Sequence, residues 1–402
     1  MSSTTHTHAA QQPAHASPVW SDDHALDTLL DLVAIPSVSN SERAAVERFV
    51  THARALGLSA EIDEAGSGIA TRRSDESIAE IMLLGHIDTV PGDIPVSIEG
   101  ERTGYADTRI LHGRGSVDAK GPLCAMLFAA ARATLPPGVT LRVCAAVGEE
   151  TPHSHGARHI ARTFRPDACI IGEPSGSHGV TLGYKGRLIV HVDAAQSCHH
   201  SAGPGDSAPD ASHAAWSRIL ELIASLNAAN TANNAGDAPP RAFDIIQSSL
   251  RTLASSSDGL TDRASLTGGF RLPRWITPAD LQSHIESFLR ETRGLTLRFE
   301  GHEQAHAVDR NDPVARALSN AIRAEGASPR PKLKTGTADL NVVAPIWNCP
   351  IAAYGPGDSS LDHTPIEHLP VAEYLRAIRI LTRAIESLAS ELLTSRTTES
   401  RA

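Results

Sequence analysis

Four short apolar runs, each closed by acids or a histidine, constrain this chain more than any other feature. IMLLGHID (81–88) ends on His86 and Asp88, and LRVCAAVGEE (141–150) ends on Glu149 and Glu150. ACIIGEP (168–174) ends on Glu173 with Pro174 blocking continuation, and IAAYGPGDSSLDHTP (351–365) delivers Asp358, Asp362 and His363. Short apolar runs bounded by Gly, Pro and Asp read as strands buried on both faces. Helical patterns fall among them. DDHALDTLLDLVAIP is stopped by Pro36, and SERAAVERFVTHARALGL has Ser41 as its expected cap and Gly57 as its stop. AKGPLCAMLFAAARATLPP is closed by Pro136 and Pro137. Strands alternating with helices predict an α/β fold, a mostly parallel sheet with flanking helices.

The texture changes near Gly183. GRLIVHVDA alternates like a half-exposed strand, DASHAAWSRILELIASL is helical, and NAANTANNAGDAPP reads as a polar loop. FDIIQSSLRTL and ASLTGGFRLP read as strands, followed by a helix at TPADLQSHIESFLRET and a strand at LTLRFEG. The α/β pattern then resumes with DPVARALSNAIRAEGA, a last buried strand and a closing helix, VAEYLRAIRILTRAIESLASELL. The expected organisation is a disordered tail at 1–20 and a catalytic domain in two parts, 21–182 and 300–402. A smaller α+β domain, 183–299, is inserted between the parts. A chain of 402 residues fits two cores better than one. The final TSRTTESRA is expected to fray.

Composition narrows the function. A net charge of -10 argues against nucleic acid as the main partner, because phosphate binding needs a basic surface. No apolar run approaches the length of a membrane span, and the N-terminal stretch has no apolar core of a signal peptide. The five cysteines, Cys124, Cys144, Cys169, Cys198 and Cys349, form no C-x-x-C and mostly sit in apolar runs, so a reduced, cytoplasmic protein is expected. Only four of the 36 basic residues are lysines: Lys120, Lys185, Lys332 and Lys334. All four lie in Gly-containing stretches, DAKGP, GYKGR and KLKTGTAD, as if those places need a compact ammonium.

In open α/β sheets ligands bind outside the carboxyl ends of the strands, so the four polar clusters should converge. A fifth, GRGSVDAKGP (113–122), puts Asp118 just ahead of a helix. Any one of these acids taken alone is an ordinary loop carboxylate or helix cap, and Asp118 could simply favour the helix dipole. Their conjunction is different. Two histidines and several carboxylates in one crevice repel one another without a cation, and they suit Zn²⁺ or a similar divalent ion. Five ligands exceed one catalytic zinc and suit two metals sharing a carboxylate. In the Glu149–Glu150 pair one carboxylate can bind metal while its neighbour stays free as a general base. Asp88 is spaced to hold His86 in one tautomer. The His153–His155 pair in TPHSHGARHI opens a helix with no carboxylate set nearby, and most of the 20 histidines must be bystanders.

GHIDTVPG, GRGSVDAKGP, VGEET, IGEPSG and YGPGDSSLDHTP together resemble the dinuclear zinc aminoacylase and carboxypeptidase family, the M20 metallopeptidases, in order and over essentially the whole ordered chain. The resemblance implies a catalytic domain carrying an inserted lid and two divalent metal ions, Zn²⁺ with Co²⁺ as the alternative. It implies that Asp118 bridges the metals, with His86 and Glu173 completing one site and Glu150 and His363 the other. Glu149 is then the general base and acid, and Asp88 orients His86. A lid histidine that stabilises the oxyanion across a homodimer is implied at His199 or His200 in SCHHSAGPG, with His200 favoured. Arg271 in GGFRLP resembles the lid arginine that binds a substrate carboxylate. GYKGR, KTGTADLN and YGPGDSSLDHTP look most like the hydrolases that release lysine or ornithine from the glutamate side chain of an acidic amino-group carrier protein, in lysine and also arginine biosynthesis. An acidic carrier calls for a local basic patch on this acidic chain, expected around Lys185, Lys332 and Lys334. An N-acetyl-ornithine or N-acetyl-lysine deacetylase, a dipeptidase and a non-catalytic metal-stabilised binding protein are the alternatives.

Overall fold

The computed structural model describes residues 21–399, apart from 75, 105, 201–204, 234–239 and 293; the side chains of 397–399 are not described. The expected N-terminal tail lies outside the described residues.

A nine-stranded sheet carries the main body. Its order is Ser59–Ile62, Gly68–Arg72, Val139–Ala146, Ala79–His86, Ala168–Gly172, Ile351–Ala353, Gly179–Tyr184 and His306–Ala307, and Arg330–Lys334 also pairs with Gly179–Tyr184. The four central strands, 139–146, 79–86, 168–172 and 351–353, run parallel to one another, and they are the four apolar runs. Successive side chains point to opposite faces of a strand, so a sheet covered on both sides needs apolar residues at every position. Leu83, Val143 and Ile170 pack on one face with Leu29, Phe49, Phe128, Leu318 and Ile378 from the helices Asp22–Val33, Arg43–Ala55, Lys120–Arg132, Pro313–Ala324 and Val371–Glu399. Met82, Leu84, Cys144 and Ile171 pack on the other with Ile160 and Val343, from His155–Thr163 and Asp339–Trp347. Because the central strands are parallel, their carboxyl ends share one edge, and the polar clusters are delivered there.

The segment after Tyr184 builds a second sheet, four antiparallel strands in the order Gln247–Ser257, Thr261–Leu272, Gly186–Ser197 and Leu295–Glu303. Leu188, Val190, Val192, Leu266, Phe270 and Leu272 face Ile219, Leu281 and Ile285 of the helices Ala208–Asn233 and Pro278–Leu289, in a core separate from those of the large sheet. Alternation puts Arg187, Gly269 and Arg271 on the opposite, helix-free face.

Local expectations fail where a side chain does something the pattern does not show. The N-cap position of the helix at 43–55 is Glu42 and not Ser41; it makes no side-chain cap bond, and its carboxylate accepts the Asn40 N–H at 2.9 Å instead. Gly57 does end that helix region, at φ +86°. The helix from Ala208 continues through 227–233, a stretch expected to be loop. The Asn227 side chain explains this by bonding both to the Ile246 N–H and to the Ile246 carbonyl, at 2.8 and 2.9 Å. The closing helix likewise runs to Glu399 instead of fraying from Thr394. The helix Asp339–Trp347 escaped the sequence because it is short and contains Pro345.

The four lysines have one shared task. Lys120 Nζ donates to the carbonyls of Leu32 and Ile35 at 3.2 and 2.6 Å. Lys185 donates to Ala242 O at 2.8 Å, to Ile245 O and to Gln247 Oε1 at 3.0 Å. Lys332 donates to Ser175 O at 2.6 Å, and Lys334 donates to Pro174 O. Each ammonium ties down backbone carbonyls, a task for a compact head with several rotatable donors rather than a planar fork. No helix among the described residues is long and apolar enough to cross a membrane.

Candidate metal centre

Four of the five expected ligands sit at or just beyond carboxyl ends of the central strands; Asp118 immediately precedes the helix Lys120–Arg132. His86 Nε2 is 3.1 Å from Asp118 Oδ1 and 3.9 Å from Glu173 Oε1. His363 Nε2 is 3.1 Å from Asp118 Oδ2 and 2.9 Å from Glu150 Oε1. Three donor groups each lie within 4.8 Å: His86 with Asp118 and Glu173, Asp118 with Glu150 and His363, and His86 with Glu149 and Glu150. Asp118 thus belongs to two groups, one through each carboxylate oxygen. The helix after it takes Ala119 as its N-cap with no side-chain cap bond, so Asp118 is engaged with imidazoles and not with helix N–H groups.

Asp88 joins two of the strand ends. Its carbonyl lies 3.0 Å from His86 Nδ1 and its carboxylate 3.5 Å. A proton on Nδ1 donated to that carbonyl leaves the Nε2 lone pair facing Asp118 and Glu173. The Asp88 carboxylate accepts the N–H groups of Glu149 and Glu150 at 3.1 and 3.0 Å and the Ser39 hydroxyl at 2.8 Å.

The electrostatics of these groups follow the pattern that a bound cation relieves. Burial pushes Glu149 well above the usual carboxylate range, and Glu150 adds to the rise. Burial raises Glu173 to about 7, helped by Asp118, and raises Asp362 to about 9 for the same two reasons. Hydrogen bonds to Asp118 and Glu150 raise His363 to about 10. Burial opposes the charge on His86, yet bonds to Asp118 and Asp88 carry its pKa well above the ordinary value. Acids whose pKa rises on burial, beside histidines whose pKa rises through their carboxylate partners, form a donor set that fits two divalent cations sharing Asp118.

The cleft above this set encloses about 540 Å³, lined by Asp118, Glu149, Glu150, Glu173, Tyr184, Arg187, Arg251, Arg271, Lys334, Asp362 and His363 among others. Arg271 Nη1 donates to Thr337 Oγ1 at 2.6 Å. Lys334 lines the cleft as expected, although its ammonium is spent on Pro174 O. Lys185 corrects an expectation: it is fully buried, bonded to the 242–247 segment, and does not line the cleft. His200 is exposed just beyond the strand Gly186–Ser197 and is not among the lining residues, and His199 Nε2 bonds Gly205 O at 3.1 Å. Asp358 is an exposed turn residue whose carboxylate accepts the Ser360 N–H at 2.9 Å. His153 and His155 belong to none of the three donor groups.

Arg187, Arg251, Asp339 and Glu367 were not expected from the sequence. Asp339, quoted only as part of KTGTADLN, is buried without a hydrogen-bond partner for either carboxylate oxygen, and burial raises it to about 8. Glu367 is fully buried; its Oε1 accepts the N–H of Val117 and Asp118 at 2.9 and 3.1 Å, and its Oε2 meets Arg114 Nη1 at 2.7 Å. It holds the backbone of Asp118 in place. Glu367→Ala strands a guanidinium and two N–H groups, so it is expected to cost about 3–5 kcal/mol of stability. A shift of the urea unfolding midpoint reads this, and an unshifted midpoint contradicts it.

The description "Peptidase family M20/M25/M40" belongs to the family model that matches residues 82–387. A Deinococcus radiodurans protein described as a LysW-lysine hydrolase is 44% identical, covering 90% of this chain and 97% of its own. A Sulfurisphaera tokodaii protein described as a LysW-lysine/LysW-ornithine hydrolase is 30% identical, covering 90% and 95%. Among solved structures, a metallo-carboxypeptidase of the M20 family from Sulfolobus solfataricus shares the fold with a TM-score of 0.71 at 17% identity, over 91% of this chain and 99% of its own. A dinuclear metal-binding peptidase of Bacillus subtilis aligns with a TM-score of 0.61 at 14% identity, over 93% and 98%.

Proposed function

This chain belongs to peptidase family M20/M25/M40 and is a metal-dependent amide hydrolase, and from that membership we propose that it releases lysine, with ornithine as the second choice, from the glutamate side chain of an acidic carrier protein of the LysW type. The observation that carries the reading is the joint engagement of Asp118 by His86 and His363, with Glu149 beside them and arginines across the cleft. In this reading His86, Asp118 and Glu173 hold one ion, and Asp118, Glu150 and His363 hold the other. The ions, when bound, activate a water and polarise the scissile carbonyl. Zinc suits the donors, with cobalt as the substitute.

The chain's own groups do the rest. Glu149 accepts a proton from the attacking water at its carboxylate and returns it to the departing α-amine. Asp88 fixes the His86 tautomer and, through the two N–H groups it accepts, the position of Glu149 and Glu150. Arg271 takes the carboxylate of the leaving amino acid. In a homodimer joined through the inserted domain, His200 of one copy donates to the oxyanion in the cleft of the other. Place in lysine biosynthesis, and arginine biosynthesis for ornithine, follows from the leaving group. A cytoplasmic location goes with this reading.

The test compares the purified, metal-loaded enzyme on carrier–lysine, carrier–ornithine, N-acetyl-ornithine, N-acetyl-lysine and dipeptides. The carrier–lysine conjugate is expected to show the highest kcat/KM by about tenfold or more. Faster cleavage of an acetylated amino acid would make the protein a deacetylase instead.

A further inference from the structure

The inserted sheet gathers three arginines that line the cleft, and the acid directly opposite Arg187, Glu303, is ion-paired with Arg158. Arg271 and Arg187 are direct cross-strand partners on the helix-free face. Like charges directly opposite one another destabilise a sheet. Their hydrogen bonds go to neutral oxygens, Thr337 Oγ1 for Arg271 and Pro152 O, at 3.2 Å, for Arg187.

Arg251 joins them by two separate devices. On its strand Leu250 pairs with Gly268 and Thr252 with Thr267, so Arg251 is the extra residue of a β-bulge. Bulges re-aim side chains, commonly beside active sites. The re-aimed chain crosses Gly269: a Cβ there would lie 2.6 Å from Arg251 Nε and 3.2 Å from its Cζ. A side chain at 269 would push the Arg251 guanidinium off this path. On the other side of Arg187 the strand Leu295–Glu303 also gains a residue, between Glu300 and Glu303, and a Cβ on Gly301 would come 3.1 Å from Arg187 Nε. All three guanidiniums reach the cleft that holds Glu149 and the candidate ligands. Burial lowers Arg271 to about 10, and Arg187 and Arg251 lower it further in the same direction, so their mutual repulsion is felt. One bound carboxylate offsets one of the three positive charges, and a second offsets another.

We infer that Arg187 and Arg251 form a second carboxylate subsite beside Arg271, so that the favoured substrate carries a carboxylate on the acyl side of the scissile amide as well as on its amine side. A glutamyl residue joined through its side chain and ending in a free α-carboxylate has that chemistry; a simple acetyl group does not. This rests on the amide-hydrolase reading above and adds the residues that select the acyl group.

The test uses a minimal pair: lysine acylated on its α-amine by the side chain of glutamate, with the glutamyl α-carboxylate free or converted to a carboxamide. In the unaltered enzyme the free acid is expected to have the higher kcat/KM, by about tenfold or more, the scale of one charged hydrogen-bonded contact. Arg251→Gln is expected to collapse that ratio towards one. Arg187→Gln should collapse it as well. A ratio near one in the unaltered enzyme, or a ratio that survives both variants, overturns the subsite. If neither compound is hydrolysed, the proposed reaction fails separately. Calorimetric binding of the same pair then decides the subsite: about tenfold weaker binding of the acid to Arg251→Gln supports it, and equal binding refutes it.

Discussion

Glu149→Gln is expected to lower kcat by about 1,000- to 10,000-fold while leaving two metal ions bound and KM nearly unchanged. Glutamine matches the size of glutamate but cannot accept and return a proton. Glu149 lies outside both donor groups that contain Asp118, and its backbone N–H is held by Asp88, so the change should disturb neither ion site. Burial and the neighbouring Glu150 raise the pKa of Glu149, which gives its carboxylate the basicity to take a proton from water and the acidity to give it to an amine. The measurement is steady-state turnover together with metal content on the same sample. Activity within tenfold of the parent enzyme removes Glu149 from the role of base, and loss of metal moves it into the ligand set.

Asp118→Asn should act at the other end of the mechanism, removing the metals themselves. One carboxylate oxygen faces His86 and the other faces His363, so both donor groups lose their shared anion at once. An amide presents one neutral oxygen and an NH₂ group that cannot ligate. Metal content measured by plasma mass spectrometry is expected to fall below one ion per chain. Turnover should drop by more than about 1,000-fold, since the water then keeps its ordinary pKa. Two retained ions in an active Asp118→Asn protein would contradict the shared-carboxylate arrangement.

The catalytic body was legible because its strands are buried on both faces. Continuous apolar runs such as 81–85 can end only where the sheet ends, so His86, Glu149, Glu173 and His363 announced themselves by position as well as by type. Asp118 was legible for a different reason: it stands at a Gly-rich turn into an apolar helix. What stayed hidden depends on tertiary reach. Glu367 lies about 250 positions from the Asp118 N–H it accepts, and nothing in IEHLP marks it. Arg251 sits in QSSLRTLASSS, an exposed polar strand, and only the register shift beside it reveals that its side chain turns toward the cleft. Lys185 misled in the opposite direction. A lysine between two glycines looks like a ligand-binding residue, yet its ammonium is consumed by the carbonyls of a turn nearly 60 positions away. The rarity of lysine was a true signal, but of carbonyl bonding more than of substrate.

A crystal of the zinc-loaded protein measured across the zinc absorption edge tests the shared Asp118 carboxylate directly. Two anomalous peaks are expected on either side of the Asp118 carboxylate, one beside His86 and Glu173 and the other beside Glu150 and His363. A single peak, or two that do not share Asp118, would contradict it.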